Sequence, residues 1–176
     1  ELCGKSFTEA SEITLTSPHE LMARLILDNK GKVGVILMSM SENDVNKVLK
    51  LDYTSVISDS LYGGGSNPHP RLYGAFPRII SKCVNKDKLF SIETAIKKMT
   101  SMPAKRIGIK DRGIIKCGMK ADLLVFSQSE IKDNATFNEP KQLSTGIKHI
   151  FINGSHVLEN YKIINHNKGK LIRKEL

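Results

Sequence analysis

The sequence is short of tryptophan, cysteine and long apolar runs. It contains no tryptophan and three cysteines, which are widely spaced and form no C-x-x-C pair. That pattern excludes a zinc knuckle and a disulfide framework and favours the reducing cytoplasm as the location. The longest apolar run, residues 33–38, is far too short to span a bilayer. No segment has the pattern of a signal peptide, so we predict no membrane association.

The excess of positive charge, +9 at pH 7, is the compositional feature that could indicate nucleic-acid binding. Lysine rather than arginine supplies most of it, and the lysines are scattered along the chain. Base readout favours bidentate arginine, and a nucleic-acid surface requires clustered charge. The basic residues that cluster in the sequence are Lys168, Lys170, Arg173 and Lys174. We therefore predict no nucleic-acid partner and a solvated lysine-rich surface.

The first part of the chain has the alternating helices and strands of an α/β unit. Ser17-Pro18-His19-Glu20 is a helix-start signal, and helical spacing continues to about Asn29. Residues 32–38 and 55–58 predict two short strands, the first of the kind buried on both faces of a parallel sheet. A helix capped by Ser41 lies between them.

A long loop follows the second predicted strand. It covers residues 59–75 and includes the run Gly63-Gly64-Gly65. Helices are then predicted over residues 76–84, after Ser91 and from Pro103. Loops at the carboxyl ends of parallel strands hold the chemistry of α/β folds, so this loop is the candidate site.

After Asp111 short strands and turns replace the helices. The predicted strands are residues 114–115, 123–126, 147–152 and 156–158. Asn153-Gly154 separates the last two, and this dipeptide between β runs is a strong hairpin signal. A long connection is expected over residues 127–145. Asp122 is expected to form a local turn by accepting from nearby backbone N–H groups.

Several motifs carry a resemblance to one superfamily. Gly113-Ile-Ile-Lys-Cys-Gly-Met-Lys-Ala-Asp-Leu-Leu-Val-Phe126 resembles the G-x-I-x-x-G-x-x-A-D-L-x-V-F block of the amidohydrolase superfamily, and Ile152-Asn153-Gly154 resembles the hairpin that follows it. Ser58-Asp59 with His69-Pro-Arg-Leu-Tyr-Gly-Ala-Phe-Pro-Arg78 is similar to the S-D-G…H-P-R-x-Y-G-x-F-P-R signature of D-aminoacylases, the N-acyl-D-amino-acid deacylases. Ser60 departs from this signature, in which glycine follows the aspartate.

The resemblance implies a fold class of α/β plus β. Residues 1–110 correspond to the last two or so β/α units of an incomplete (β/α)8 barrel, and residues 111–176 to part of a small β-sandwich. The implied activity is zinc-dependent hydrolysis of the amide bond in N-acyl-D-amino acids. Two alternatives stay open: another amidohydrolase, such as a dihydroorotase- or hydantoinase-like protein, or a non-catalytic domain that binds itself or a partner.

The resemblance also implies roles for residues in the loop. Asp59 corresponds to the family aspartate that lies over the metal and carries a proton from the metal-bound water to the leaving amine. From the residues alone, an aspartate before glycines more simply opens a turn. Arg71 is expected to bind the substrate α-carboxylate or to brace the loop. Tyr73 and His69 are the other candidate substrate contacts, with loop packing and loop anchoring as their alternatives.

Metal ligands are scarce in this sequence. It has no H-x-H pair and no helical H-x-x-x-H pair, and His149 and His156 are expected to stand apart. Zinc requires about three or four protein ligands, and Asp59 could at most act as a weak one. We therefore predict zinc in the full-length family and none bound by this chain alone. The chain is expected to be inactive alone and to pair, through exposed strand edges, with a second copy or with an N-terminal half of the barrel.

Overall fold

The computed structural model describes residues 2–61 and 67–173. Its helices are α1 (Phe7–Thr14), α2 (Pro18–Asp28), α3 (Glu42–Lys50), α4 (Arg71–Arg78), α5 (Ile92–Met99) and α6 (Ser101–Ile107), with a π-helical segment, Ile79–Lys86, continuing α4. Its strands are β1 (Leu123–Phe126), β2 (Ile147–Ile152), β3 (Ser155–Glu159) and β4 (Lys162–Ile163). No helix in these ranges is long and apolar enough to cross a membrane. The Gly63-Gly64-Gly65 run and Lys174 lie outside the described residues.

Serine caps set the starts of four helices. The hydroxyls of Ser17, Ser41 and Ser91 each accept a hydrogen bond from the backbone N–H three residues later. The helix starts predicted at these three serines are therefore confirmed. α1 was not predicted, although Ser6 and Glu9 form a capping box at its start. The spacing Ser-x-x-Glu is the sequence signal that could have found it.

The helix predicted over residues 76–84 begins earlier, at Arg71. Residues 71–75, which were predicted as part of the loop, therefore belong to this helix. Pro77 lies inside α4, and the hydrogen-bond pattern then widens into the π-helical segment. Because proline has no N–H to donate and its ring crowds the preceding turn, a change of helical pattern next to it has a direct steric cause.

The two predicted parallel strands are not strands in the described structure. Residues 32–39 and 54–61 carry no regular secondary structure. Their apolar side chains are largely exposed, with Leu37 at 75% and Ile57 at 71%. A strand exists only where a neighbour supplies the other half of its hydrogen bonds, and the part of the chain that the structure describes supplies none here.

The prediction of a β-rich second part is confirmed. Its sheet is antiparallel throughout, in the order β1-β2-β3-β4. Asn153 and Gly154, with φ of 49° and 78°, form the predicted turn between β2 and β3. The strand predicted over residues 114–115 is absent from the described structure, where Ile115 is 92% exposed and has no pairing strand.

A small apolar core lies between the π-helical segment and α5. Its buried members are Val56, Ile79, Cys83, Val84 and Ala95. The N–H of Val56 donates to the Lys98 carbonyl oxygen at 3.0 Å. The core thereby fixes the irregular segment that leads to Asp59, three residues beyond Val56.

Candidate functional site

Asp59 and Arg71 lie in direct contact. Arg71 Nη1 is 2.9 Å from Asp59 Oδ2, and the two side chains are 40% and 69% exposed, respectively. Exposed ion pairs contribute only about 0–1 kcal/mol to folding. Asp59 has a φ of 47°, in the left-handed region that aspartate tolerates better than most residues. The contact therefore does little for stability, while it brings together the two residues with the most specific predicted roles.

Ser60 ties the segment before Asp59 to the start of α4. Its hydroxyl lies 3.1 Å from the carbonyl oxygen of Arg71 and 3.3 Å from that of Ser58. A hydroxyl carries one proton, so it donates to one carbonyl at a time. The serine that departs from the family signature thus adds a polar link that glycine lacks.

His69 anchors the start of α4. Its Nδ1 accepts from the N–H of Arg71 at 3.0 Å, and its ring meets the edge of Phe137 at a centroid distance of 5.3 Å. Burial lowers the pKa of His69, the nearby charge of Arg71 lowers it further, and Asp59 opposes both. The neutral imidazole is therefore favoured, which suits its role as an acceptor. Substrate binding by His69 stays a prediction.

A cavity of about 260 Å³ lies beside the ion pair. It is lined by Ser58, Ser60, Arg71, Leu72, Tyr73, Ala75, Phe76 and Pro77. Arg71 and Tyr73 thus share one cavity, whereas His69 is outside its lining. The cavity combines a guanidinium for a carboxylate with apolar walls for an acyl or side-chain group, and its volume suits a small ligand.

Asp133 holds α4 and the π-helical segment that continues it. Its carboxylate accepts from Ser81 Oγ at 2.9 Å and from Arg78 Nη1 at 3.3 Å. It also packs against Gly74, where an added Cβ would come within 3.0 Å of the Asp133 Cβ. Glycine at position 74 therefore allows Asp133 to approach α4 closely, and this contact helps to hold the neighbouring Arg71 and Tyr73 in place.

Lys98 holds the segment that precedes Asp59. It is 1% exposed, and its ammonium donates to the carbonyl of Leu51 at 2.5 Å and to the carbonyl and hydroxyl of Thr54, each at 3.1 Å. Burial lowers the pKa of Lys98, while Asp52 raises it and Lys97 lowers it slightly. This lysine is structural, unlike the solvated lysines predicted from composition.

Replacing Lys98 with methionine is expected to lower the free energy of unfolding by about 1–3 kcal/mol, because the partly buried carbonyls of Leu51 and Thr54 lose a charged donor. Urea unfolding followed by circular dichroism measures this loss. Lys97→Met, at the exposed neighbouring position, is the matched control and is expected to stay within about 0.5 kcal/mol of the wild type. Equal losses in both variants would show that the buried hydrogen bonds are not the cause.

The motifs of the second part converge on Asp122. Its carboxylate pairs with Arg112 Nη1 and accepts from the N–H of Asn153 at 2.7 Å. Arg112 Nη2 donates to Asn153 Oδ1 at 2.9 Å. The prediction of a purely local turn for Asp122 was therefore wrong, because its partners lie 10 and 31 residues away. This network explains physically why these motif residues occur together.

Potential metal ligands do not gather in the described residues. No group of three or more His, Cys, Asp or Glu side chains that could hold a metal is found in residues 2–61 and 67–173. Asp59 is one carboxylate, and Arg71 already engages it. These residues do not form a zinc site by themselves. Two histidines that were expected to stand apart, His149 and His156, are nevertheless in contact.

Known proteins share this sequence pattern. The amidohydrolase family model matches residues 38–158. N-acyl-D-glutamate deacylase of Alcaligenes xylosoxydans xylosoxydans is 35% identical over 142 residues, which cover 81% of this chain and 29% of the relative. D-aminoacylase of the same organism is 33% identical over 172 residues, covering 98% and 34%. The chain thus spans about a third of the length of these curated relatives.

Solved structures agree with these relatives. D-aminoacylase superposes with a TM-score of 0.68 at 38% identity, over 72% of this chain and 27% of that chain. N-acyl-D-glutamate deacylase from Bordetella bronchiseptica, complexed with zinc and a phosphonate mimic of the tetrahedral intermediate, superposes with a TM-score of 0.65 at 36% identity, over 67% of this chain and 25% of that chain.

A dihydroorotase of Lactobacillus acidophilus matches a shorter stretch of the sequence, at 34% identity over 73 residues that make up 42% of this chain and 16% of the relative.

Because the family model matches more than half of its residues, the chain belongs to the amidohydrolase family. Within that family, the deacylases of N-acyl-D-amino acids reported above match over 67–98% of the chain, and the dihydroorotase over 42%. The resemblance drawn from the motif between His69 and Arg78 is thereby confirmed.

Proposed function

We propose that this chain supplies the acid–base and carboxylate-binding wall of an active site that hydrolyses the amide bond of N-acyl-D-amino acids, zinc-dependent in the whole enzyme. The observation that carries this proposal is the contact of Asp59 with Arg71 beside the cavity. The named activities of the relatives support the choice of substrate class.

Arg71 binds the substrate. A guanidinium can hold a carboxylate through two parallel, charge-assisted hydrogen bonds, so it suits the α-carboxylate of an acylated amino acid. In the structure Arg71 holds the carboxylate of Asp59 instead. The substrate carboxylate therefore competes with Asp59 for the same guanidinium, and binding releases Asp59 next to the amide.

Asp59 moves the proton. Hydrolysis adds a water oxygen to the acyl carbon and breaks the bond from that carbon to the amide nitrogen. The released Asp59 carboxylate accepts a proton from the attacking water and delivers it to the leaving nitrogen, which departs as an amine. Tyr73 and Phe76 line the cavity in which the rest of the substrate lies.

We assign residues 1–110 to the end of a barrel and residues 111–176 to part of a β-sandwich. The unpaired apolar stretches 32–39 and 54–61 then take their place in the sheet beside strands from the remainder of the barrel or from a second copy. Since no group of three or more possible metal ligands is gathered in the described residues, and none beside Asp59, the chain alone is expected to be inactive.

Reconstitution tests the proposed function. The chain is co-expressed with the part of a D-aminoacylase that it does not match, and amine release from N-acetyl-D-amino acids and their L enantiomers is measured with zinc. We expect turnover of D substrates by the complex and none by the chain alone. In the complex, Arg71→Lys is expected to raise KM about 10-fold or more, because a charged hydrogen bond contributes about 1.5–3 kcal/mol.

The control substitution is Arg24→Lys on the exposed face of α2, which should leave KM unchanged. A complex that forms but hydrolyses no N-acyl-D-amino acid would overturn the proposal. Stable self-association of the chain together with that failure would favour the non-catalytic alternative, for which the exposed apolar stretches are the supporting observation.

A further inference from the structure

Two histidines meet on one face of the antiparallel sheet, outside the site described above. His149 lies on β2 and His156 on β3, and His149 Nδ1 is 3.1 Å from His156 Nε2. The six residues between them in sequence fold back through the turn at Asn153 and Gly154. The two side chains are partly buried.

The spacing of these nitrogens is close to that of two ligands on one metal ion. Zinc binds imidazole nitrogen at about 2.0–2.1 Å in tetrahedral geometry, which places two such nitrogens roughly 3.4 Å apart. The observed 3.1 Å differs from this by a few tenths of an ångström. Binding of one metal ion requires that the shared proton leave and that both rings turn until their nitrogen lone pairs point at the ion.

The sheet register places Glu159 on the same face of the sheet as the two histidines. Glu159 is directly opposite His149, and His156 is directly opposite Phe151. Directly paired residues on antiparallel strands have Cβ atoms about 4.5–5.5 Å apart and point to the same face. Phe151 stacks on His156, with ring centroids 4.5 Å apart and an angle of 16° between the ring planes. This stacking holds the imidazole nearly parallel to the phenyl ring.

We propose that His149, His156 and Glu159 bind a divalent transition-metal ion such as Zn²⁺. In the described structure the Glu159 carboxylate is not gathered with the imidazoles, so binding includes its rotation toward them. Lys162 is the residue directly opposite Glu159 on β4. Two imidazoles and a carboxylate suit zinc, copper or nickel, and disfavour Mg²⁺, which prefers oxygen ligands.

Such a site lies in the β-rich part and depends on neither Asp59 nor the proposed hydrolysis. A metal there links β2 to β3 by coordinate bonds across the hairpin. It is therefore a candidate for stabilising this hairpin rather than for chemistry on a substrate.

Calorimetric titration of ZnCl2 into the untagged chain, stripped of metal, tests the proposal. We expect one zinc ion per chain and no binding of MgCl2. In His149→Ala and in His156→Ala the zinc affinity should fall by at least about 10-fold. Loss of a ligand should weaken binding more than loss of a residue that only hydrogen-bonds to a ligand, which costs about 10–100-fold. Glu159→Gln, at an exposed position, provides a ligand variant that leaves the strand pairing intact.

His166→Ala, at an exposed histidine, is the control and is expected to bind zinc like the wild type. Zinc binding that survives loss of both His149 and His156 would overturn the site, as would failure of the folded wild type to bind zinc. Imidazole nitrogen NMR adds an independent readout, in which only the signals of His149 and His156 shift on binding.

Discussion

Asp59→Asn is expected to lower kcat of the reconstituted enzyme by about 10²–10⁴-fold, the usual contribution of a general acid–base residue. Asparagine has nearly the same shape but carries no proton between water and amine. KM should not rise, because the variant also removes the carboxylate that competes with substrate for Arg71. Steady-state kinetics with an N-acetyl-D-amino acid measure both constants.

The free energy of unfolding separates a catalytic from a structural effect of this substitution. Because the ion pair is exposed, its loss is expected to change stability by no more than about 1 kcal/mol. Asp28→Asn, at the exposed end of α2, is the matched control and should leave kcat unchanged. Full activity in Asp59→Asn would leave this residue only the role of opening a turn.

Gly146→Ala is expected to be the most damaging small substitution in the β-rich part. Gly146 has a φ of 84°, and an added Cβ would overlap the backbone of Glu130 and Ile131. The glycine cannot easily move away, since its N–H donates to Tyr161 Oη and its carbonyl accepts from Ser127, each at 2.9 Å. We expect a loss of about 4 kcal/mol or more, which is a large part of the stability of a typical domain.

Gly118→Ala is the matched control for backbone strain. Gly118 has a similar φ of 88°, but an added Cβ would meet no atom within 4 Å. The left-handed conformation alone is expected to cost about 1–2 kcal/mol there. Urea unfolding of both variants measures the difference. If the two losses were equal, steric overlap with the Glu130–Ile131 backbone would not be the reason that position 146 is glycine.

Local signals explain which parts of the fold could be predicted. Serine caps at positions 17, 41 and 91 and the turn at Asn153-Gly154 act within a few residues, so the sequence shows them directly. The apolar runs at 32–38 and 55–58 have strand composition, but strand formation requires a partner that composition cannot supply. Their prediction as strands failed for that reason.

The site shows the same division between local and distant causes. The motif identified Asp59 and Arg71 separately, but their contact depends on the left-handed bend at Asp59 and on the early start of α4. Lys98 was counted among surface lysines because its acceptors lie more than forty residues away. The contact of His149 with His156 depends on the register of β2 against β3, including its irregularity after Ile150.

The exposed apolar stretch at residues 32–39 gives the net positive charge a second consequence, which concerns aggregation rather than ligand binding. Backbone N–H and C=O groups without a pairing strand favour aggregation between chains. A charge of +9 opposes it, because like-charged molecules repel before their apolar surfaces touch. That repulsion reaches only about 10 Å at 0.1 M salt and less at higher salt. The scattered lysines are therefore expected to oppose association between chains in dilute buffer, and to oppose it less as ionic strength rises.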